Sequence, residues 1–267
     1  MAYAGLVVST LLFIWAFCLA GGFVLWSVSV ARRDVSLIDI FWGPGFVAAA
    51  VIAWLRAEAS SPLQMLVLAM VAVWGLRLAV HIAWRGWGHG EDRRYAAMRK
   101  QRGDSFWWQS LFTVFGLQAT LVALLCTPLV LVQLRPVVQP IWCIVGCVLW
   151  MVGFFFEAVA DAQLVAFQRD PTSRGRVLDT GLWRYSRHPN YFGESLLWWG
   201  FGLCALGVSG GVWTLYAPLV MTLLLLRVSG VPLLEAGMAS RRPGYREYVE
   251  RTSSFLPRPP RKTGGGA

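Results

Sequence analysis

The stretch Gly181-Leu-Trp-Arg-Tyr-Ser-Arg-His-Pro-Asn-Tyr-Phe-Gly-Glu194 stands immediately before an apolar run at 195–226. Pro189 suits the first position of a helix, because proline fixes φ near the helical value and lacks an N–H group that a helix start cannot use. We therefore predict a helix that begins at Pro189 and enters the apolar run. Its free N–H groups and positive dipole end would attract a phosphate or carboxylate.

The basic residues Arg184, Arg187 and His188 lie directly before this helix start, and Asn190 and Glu194 share one face of its first turns. A glutamate that enters a bilayer without a polar partner is costly. The stretch therefore indicates an anionic, nucleotide-like ligand at the cytoplasmic mouth of a membrane bundle.

The composition is that of a membrane protein. Hydrophobic residues make up 57% of the 267 residues and charged residues 14%, values that a soluble domain of this length does not show. Apolar segments of about 20 residues, long enough to cross a bilayer core, recur along the chain. We predict an all-α integral membrane fold, a bundle of seven transmembrane helices at 5–30, 36–55, 62–84, 110–133, 138–166, 190–209 and 211–230. The first segment lacks the basic region that precedes a signal-peptide core, so it is kept as a helix.

Basic residues are concentrated after the first, third, fifth and seventh of these segments. The positive-inside rule then puts the N-terminus outside and the C-terminus in the cytoplasm. We expect a multi-pass protein of the bacterial inner membrane with its ligand site open to the cytoplasm. The net charge of +10 fits this topology and attraction to membrane lipid. Nucleic acid is not an expected partner, because the basic residues are divided among loops beside membrane helices.

The chain reads as a single membrane domain over 1–256, followed by a disordered basic and glycine-rich tail over 257–267, and we expect a monomer. The five cysteines all lie in apolar segments without disulfide or metal spacing. No His-Glu-x-x-His or phosphate-loop motif occurs in the sequence. We therefore expect no metal site.

Charged residues at membrane depth are candidate functional groups, because they are rare and costly there. Glu157 and Asp161 stand four apart and share one face of the fifth predicted helix. Stacked carboxylates repel unless cations or donors lie opposite. The donors could be ribose hydroxyls or a carboxamide of a ligand, or Arg77 and Arg227 in a purely structural network.

A second set of polar residues lies on the second and third predicted helices. Arg77, His81 and Arg85 form a basic stripe, on which His81 is a proton donor or a neutral hydrogen-bonding ring. Asp39 precedes Trp42-Gly-Pro-Gly45, a bend at which helix two should loosen or kink and could line a cavity. Alternatively, Asp39 pairs with an arginine at the end of helix one.

With these residues in view, the chain resembles the steroid 5-alpha-reductase-like membrane family, in the bacterial branch known as DUF1295. The motifs that carry the resemblance are Arg187-His-Pro-Asn-Tyr-Phe-Gly-Glu194, Glu157-x-x-x-Asp161-x-Gln163, Glu91-Asp-Arg-Arg-Tyr95, and Tyr245-x-x-Tyr248 through Ser254-Phe-Leu-Pro257. The resemblance covers nearly the whole chain. It implies a seven-helix enzyme that uses NADPH to reduce a carbon–carbon double bond conjugated to a ketone. A 3-oxo-4-ene steroid, reduced to its 5-alpha-dihydro product, is the substrate that it implies.

The residues and the resemblance together assign three groups of site residues. The expected cofactor contacts are Arg85, Tyr95, Glu157, Asp161, Arg169, Arg184, Arg187, His188, Asn190, Tyr191, Glu194, Tyr245 and Tyr248. The expected substrate contacts are Trp42 and Arg77, and the expected catalytic residues are Asp39 and His81.

The chain departs from the family at the substrate ketone. The steroid reductases hold this ketone with a Gln-Glu pair on helix two and a tyrosine on helix three. Here Asp39 has no adjacent glutamine, and isoleucine follows His81. Hydride delivery to the beta carbon leaves negative charge on the ketone oxygen, and a hydrogen-bond donor placed there lowers the barrier. We expect a neutral Asp39 or a protonated His81 to be this donor, unless the substrate differs.

Two other functions remain open. Membrane methyltransferases of the isoprenylcysteine and phospholipid type share an Arg-His-Pro-x-Tyr element and would bind S-adenosylmethionine. The Asn-Tyr-Phe-Gly-Glu continuation and the Glu157 and Asp161 pair favour the reductase. A lipid carrier is the non-enzymatic alternative, but few polar residues occur in the first, fourth and seventh predicted helices to line a path.

Overall fold

A computed structural model describes residues 2–88, 90–228, 230, 231, 235, 238 and 242–261. The α-helices are α1 (Ala2–Arg32), α2 (Leu37–Leu55), α3 (Pro62–Gly86), α4 (Arg93–Arg102), α5 (Phe106–Ser110), α6 (Leu117–Leu125), α7 (Thr127–Leu134), α8 (Pro140–Arg169), α9 (Pro189–Leu206), α10 (Tyr216–Leu223) and α11 (Tyr245–Arg251). Single 3₁₀ turns lie at Gly103–Ser105, Pro171–Ser173, Gly181–Arg184 and Gly211–Thr214, and π-helical turns at Leu111–Gly116 and Leu224–Val228. Within the described residues, the β-structure is one isolated antiparallel bridge between Val137 and Val208.

Six helical segments of the described chain are long and apolar enough to cross a membrane. They are Tyr3–Arg32, Leu37–Leu55, Pro62–Gly86, Arg93–Leu125, Pro140–Arg169 and Gly211–Val228. The all-helical, multi-pass membrane class is therefore confirmed. The helix predicted to begin at Pro189 is present as α9. It is not one of the six apolar segments. Asn190 and Glu194 lie in its first two turns.

The fourth helix, predicted at 110–133, begins earlier than predicted and is divided at Cys126, after which α7 continues to Leu134. Helical structure begins at Arg93, inside the predicted loop, and the long segment ends at Leu125. Hydropathy does not reveal α4 because its surface is charged, but its residues favour helix and the Asp92 side chain caps it by accepting from the Arg94 N–H. The break before α7 comes just ahead of Pro128, which has no N–H to continue the preceding helix. Helix α2 is continuous across Pro44.

The chain divides into two compact units. Unit 1 comprises Met1–Cys143 and Cys204–Ala217. In it α1 lies against α2 and α6, and α2 lies against α3 and α7. The closest approach of α2 and α3 is at Gly43 and Gly75, where a Cβ on Gly43 would lie 1.9 Å from the Gly75 carbonyl oxygen. Only a residue without a side chain permits this contact.

Unit 2 comprises Ile144–Leu203 and Pro218–Ala267. In it α8 and α9 meet along a seam of four glycines. A Cβ on Gly193 would lie 2.4 Å from the backbone nitrogen of Glu157, and a Cβ on Gly153 would lie 2.6 Å from the Gly193 carbonyl oxygen. A Cβ on Gly200 would lie 2.7 Å from the carbonyl oxygen of Gly146. The two backbones therefore touch directly, as small residues allow in membrane helix pairs.

The boundary predicted at residue 257 stays a prediction. Residues 262–267 of the predicted tail lie outside the described residues. Before them, the Arg258 N–H donates to the Tyr185 carbonyl oxygen and the Arg261 N–H donates to the Arg251 carbonyl oxygen, each at 2.9 Å. This part of the tail therefore has fixed hydrogen bonds to unit 2.

We expect Gly193→Ala to lower the temperature of thermal unfolding, because the new Cβ collides with the α8 backbone. Overpacking of this kind costs about 1–3 kcal/mol. Gly5→Ala is the matched control, since a Cβ on Gly5 has no atom within 4 Å. Thermal unfolding of detergent-solubilised protein, followed by tryptophan fluorescence, measures both. Equal melting temperatures of the two variants would contradict direct contact between the α8 and α9 backbones at Gly193.

Candidate functional site

The loop before α9 is fastened to α8 within unit 2. Trp183 Nε1 donates to the Ala160 carbonyl oxygen at 3.1 Å, and the Leu182 N–H donates to Gln163 Oε1 at 3.0 Å. Gly181 has a φ of +58°, and a Cβ there would lie 2.5 Å from the Gln163 side chain. The backbone angle therefore favours glycine, and a Cβ would also displace the end of the Gln163 side chain. The turn that delivers the chain to α9 is tied in this way to the last turns of α8.

Arg187 and His188 both contact Glu235, and we call these three side chains the clasp. Arg187 Nε donates to Glu235 Oε1 at 2.8 Å, and His188 Nε2 lies 2.8 Å from the same oxygen. Arg187 Nη1 also donates to the carbonyl oxygens of Thr252 and Val249, at 2.8 and 3.2 Å. The guanidinium that we expected to face phosphates is thus used to join the loop to the C-terminal segment.

The His188 ring is buried, with 4% of the residue exposed. It stacks on Tyr191 with ring centroids 5.7 Å apart and planes at 9°. Because Nε2 faces a carboxylate, Nε2 carries a proton, and Nδ1 is left as the second polar atom of the ring. Nδ1 is buried and has no hydrogen-bond partner among the described residues. A buried nitrogen without a hydrogen-bond partner can accept a hydrogen bond from a ligand.

Asn190 and Asp161 are brought together across the glycine seam. Asn190 Nδ2 donates to Asp161 Oδ1 at 3.1 Å, which fixes the orientation of the amide. Asp161 is 5% exposed, and Glu157, one turn earlier on α8, is 2% exposed. Asn190 Oδ1 is buried, and in the described part of the chain nothing donates to it. Asn190 Oδ1 can therefore accept a hydrogen bond from an N–H or O–H group of a ligand.

Tyr245 and Tyr248, both expected at the cofactor, are buried on α11. The Tyr248 hydroxyl donates to the carbonyl oxygen of Trp183 at 2.6 Å, and the two tyrosine rings lie 6.1 Å apart. Burial raises the pKa of both phenols, so they stay protonated at neutral pH. In this position Tyr248 supports the loop from the C-terminal side.

The other predicted ligands of unit 2 lie nearer to solvent. Arg169 ends α8 and is exposed, and Arg184 is exposed in the loop before α9. Tyr191 and Glu194 are half-buried on the first two turns of α9. Their predicted cofactor contacts stay predictions.

In unit 1, Asp39 is half-buried in a hydrogen-bonded network with the exposed Arg94 and the buried Tyr95 of α4 and the half-buried Gln118 of α6. Arg94 Nη2 lies 2.6 Å from Asp39 Oδ2, and the Tyr95 hydroxyl donates to Asp39 Oδ1 at 2.6 Å. Gln118 Nε2 donates to the Tyr95 oxygen at 3.2 Å. Asp39 therefore pairs with Arg94 rather than with the arginines at the end of α1. Arg94 and Tyr95 each donate a hydrogen bond to one of its oxygens, and its predicted role as a hydrogen-bond donor stays a prediction.

The loop that carries Tyr95 is anchored to the turn between α1 and α2. Glu91 Oε1 accepts from the Val35 N–H at 3.0 Å and from Arg99 Nη2 at 2.7 Å. The Asp92 N–H donates to Ser36 Oγ at 2.7 Å. Burial by itself would raise the pKa of Glu91, but the hydrogen bonds from Arg99 and Val35 outweigh it and lower the pKa. The anchored loop fixes the position of Tyr95 beside Asp39.

The remaining predicted residues of unit 1 lie on α2 and α3. Trp42 packs against Phe46 with ring centroids 5.6 Å apart. Arg77 and His81 are half-buried and Arg85 is exposed. Their predicted roles stay predictions.

Two residues of the Asp39 network were not predicted, Arg94 and Gln118. Arg94 stands next to Tyr95 in a motif that we recognised, and Gln118 is a lone amide in an otherwise apolar run. Gln118 Oε1 is buried, and no described residue donates a hydrogen bond to it. An isolated amide at membrane depth was the signal that could have identified this position.

The expectation of no metal site stays a prediction. Within unit 1 the sulfur atoms of Cys143 and Cys204 lie within 4.8 Å of each other. Two thiols do not complete the four-coordinate set of a structural zinc site.

The clasp predicts that the stability of the folded protein falls at low pH. Burial by itself would raise the pKa of Glu235, but hydrogen bonds from His188 and Arg187 outweigh it and lower the pKa from 4.5 to about 2. The folded protein therefore holds this group ionised more strongly than the unfolded chain. Its contribution to stability is present above a pH of 4.5 and disappears as the pH falls toward about 2.

We expect Glu235→Gln to melt at a lower temperature than the wild type at pH 6, with a difference that shrinks as the pH is lowered through this window. Melting temperatures of detergent-solubilised protein at a series of pH values measure it. Glu247→Gln, which removes an exposed acid on α11, is the control. A difference between Glu235→Gln and the wild type that does not change with pH would contradict the ionised clasp.

Comparison with known proteins identifies the family to which this chain belongs. Residues 25–252 match the model of DUF1295, described as a protein family of unknown function. An uncharacterized protein of Schizosaccharomyces pombe is 28% identical over 267 aligned residues, which cover 89% of this chain and 76% of that protein. No solved structure matches the chain. Since the family model covers most of the sequence, this chain belongs to the DUF1295 family.

Proposed function

We propose that this protein uses NADPH to reduce the carbon–carbon double bond of an alpha,beta-unsaturated ketone lipid, with 3-oxo-4-ene steroids as the first substrate class to test. The observation that carries the proposal is the Asn190–Asp161 pair in unit 2. Asp161 is buried and Asn190 is half-buried, and the buried Oδ1 atom of Asn190 has no donor among the described residues. The resemblance to steroid 5-alpha-reductases implies a cofactor contact at the same two positions.

The polar atoms of unit 2 suit the chemical groups of a nicotinamide dinucleotide. Asn190 Oδ1 can accept a hydrogen bond from a carboxamide N–H, and Asp161 and Glu157 can accept from ribose hydroxyls. The exposed guanidinium groups of Arg169 and Arg184 suit phosphates, which arginine binds with paired hydrogen bonds. When bound, NADPH supplies the hydride.

The Asp39 network suits the ketone end of the reaction. The resemblance assigns ketone binding to an acid, a glutamine and a tyrosine, and these three side-chain types meet here as Asp39, Gln118 and Tyr95. They come from different helices than the resemblance implies. We therefore assign Tyr95, which we had expected at the cofactor, as the donor to the ketone oxygen.

In this assignment the chain stabilises charge that develops on the ketone oxygen. Hydride transfer to the beta carbon turns the ketone into an enolate, and the Tyr95 hydroxyl turns from Asp39 toward that oxygen. Arg94 holds the Asp39 carboxyl group in place, with Nη2 2.6 Å from Oδ2. A single positioned donor of this kind contributes about 3–4 kcal/mol to barrier lowering. The alpha carbon then takes a proton from water or from His81.

The structure bears on the methyltransferase alternative through the clasp. The Arg-His-Pro element is common to both enzyme classes, and here Arg187 and His188 both contact Glu235. The clasp therefore does not distinguish the classes. The Asn190–Asp161 pair supports the reductase, because Asp161 lies outside that element and Asn190 occupies its variable position.

The proposal includes a topology. Addition of α9 to the six apolar segments gives seven membrane helices, with the N-terminus outside and the C-terminus in the cytoplasm, in accordance with the distribution of basic residues. We propose a monomer in the bacterial inner membrane with the cofactor site open to the cytoplasm and the substrate entering from lipid.

We expect Asn190→Ala to raise the dissociation constant for NADPH by about tenfold or more, because the variant loses an acceptor and leaves Asp161 without its amide donor. Energy transfer from tryptophan to the bound nicotinamide, in detergent-solubilised protein, measures the affinity. Gln168→Ala, which removes an exposed amide from the end of α8, is the matched control. An unchanged NADPH affinity in Asn190→Ala would contradict the proposed cofactor contact.

We expect the wild-type protein to convert a 4-ene-3-ketosteroid to its dihydro product with NADPH, and Tyr95→Phe to do so about 100- to 1,000-fold more slowly. The phenylalanine keeps the ring and leaves the Asp39–Arg94 ion pair intact. Mass spectrometry of the steroid measures turnover, and NADPH affinity should be unchanged in the variant. A Tyr95→Phe variant with full turnover would remove Tyr95 from the reaction. Absence of product from other enone lipids as well would contradict the reductase.

A further inference from the structure

A polar cavity lies in unit 2 between α11 and the residues that follow it. Its volume is about 320 Å³. Four arginines and two serines line it, namely Arg187, Arg251, Arg258, Arg261, Ser253 and Ser254. Glu250 is the acidic residue of its lining. The cavity therefore has a surplus of positive charge in a small volume.

Two of the four guanidinium groups are paired with carboxylates of unit 2. Arg187 is held by Glu235 in the clasp, and Arg251 forms an ion pair with Asp179. The positive charges of these two arginines are therefore balanced by carboxylates within the protein.

The other two guanidinium groups, of Arg258 and Arg261, are exposed, and neither has an ion-pair partner among the described residues. Their backbones are nevertheless held. The Arg258 N–H donates to Tyr185 and the Arg261 N–H donates to Arg251, each at 2.9 Å. The prolines at 257, 259 and 260 further restrict the backbone. Two unbalanced cations are thus presented to the cavity from a backbone whose position is fixed.

We propose that this cavity binds a phosphate group through Arg258 and Arg261, with the hydroxyls of Ser253 and Ser254 as further donors. Guanidinium groups bind phosphate oxygens in pairs, and these charge-assisted hydrogen bonds are stronger than neutral ones. The volume is at the small end of the range for ligand pockets, about 300–1,000 Å³. It therefore suits one phosphate with a small substituent rather than a whole dinucleotide. The proposal does not depend on the reductase reaction.

The phosphate could belong to a soluble phosphate monoester or to a phospholipid headgroup, and the test separates these sources. Full-length protein is placed in nanodiscs of phosphatidylcholine, and hydrogen–deuterium exchange of residues 249–261 is measured by mass spectrometry. One arm adds inorganic phosphate, with sodium chloride at equal ionic strength as the reference. The other arm replaces a tenth of the lipid with phosphatidic acid.

The variant is Arg258→Gln with Arg261→Gln, and the matched control is Arg174→Gln with Arg246→Gln. The control removes the same charge from two exposed positions of unit 2 that do not line the cavity. Melting temperatures show that both double variants are folded before exchange is measured.

We expect slower exchange of 249–261 in one of the two arms, and that arm identifies the source of the phosphate. The half-saturating concentration should rise by about tenfold or more in the cavity variant and change by less than about twofold in the control. Unchanged exchange in both arms would overturn the proposal. Equal loss of binding in the two double variants would also overturn it, because it would show a response to net charge alone.

Discussion

The direct contact between the backbones of α8 and α9 is the constraint on which unit 2 depends. At Gly193 there is no room for a Cβ beside the Glu157 nitrogen, so the observed register of the two helices requires glycine at this position. This register places Asn190 against Asp161 at 3.1 Å. With a larger residue in the seam, the helices would separate and the amide would no longer reach the carboxylate. A packing requirement thus sets the geometry of the polar group that we assign to the cofactor.

Charge pairing is the second organising principle, and it acts over long separations in sequence. Asp39 meets Arg94, and Glu235 meets Arg187 and His188. Both pairs are partly exposed, so their contribution lies in the position they give the segments that they join rather than in a large stabilising energy. Each pair therefore joins two segments that are distant in sequence. One fastens the α4 loop to α2, and the other fastens the loop before α9 to the C-terminal segment.

Local signals were sufficient for part of the fold. The helix start at Pro189 follows from proline chemistry alone, and the apolar segments follow from hydropathy. The charged helix α4 was missed because hydropathy measures membrane affinity and not helix propensity. Its capping residue Asp92 and its run of good helix formers were visible in the sequence.

The candidate site was predictable only to the level of residue type. Spacing on one helix placed Glu157 beside Asp161, and the motif supplied Asn190, but nothing local pairs Asp39 with Arg94 or Gln118 with Tyr95. These partners are set by how helices pack, which a single sequence does not reveal. The role of Arg187 shows the same difficulty. An arginine beside a helix start suggested a phosphate ligand, whereas its hydrogen bonds go to Glu235 and to two backbone carbonyls.

The most direct measurement is calorimetric titration of the purified wild-type protein with NADPH and, separately, with S-adenosylmethionine. Our assignment of the Asn190–Asp161 pair predicts saturable binding of NADPH and no binding of S-adenosylmethionine under the same conditions. Binding of S-adenosylmethionine without binding of NADPH would contradict the reductase and identify a membrane methyltransferase instead. Binding of neither molecule would contradict both enzyme classes.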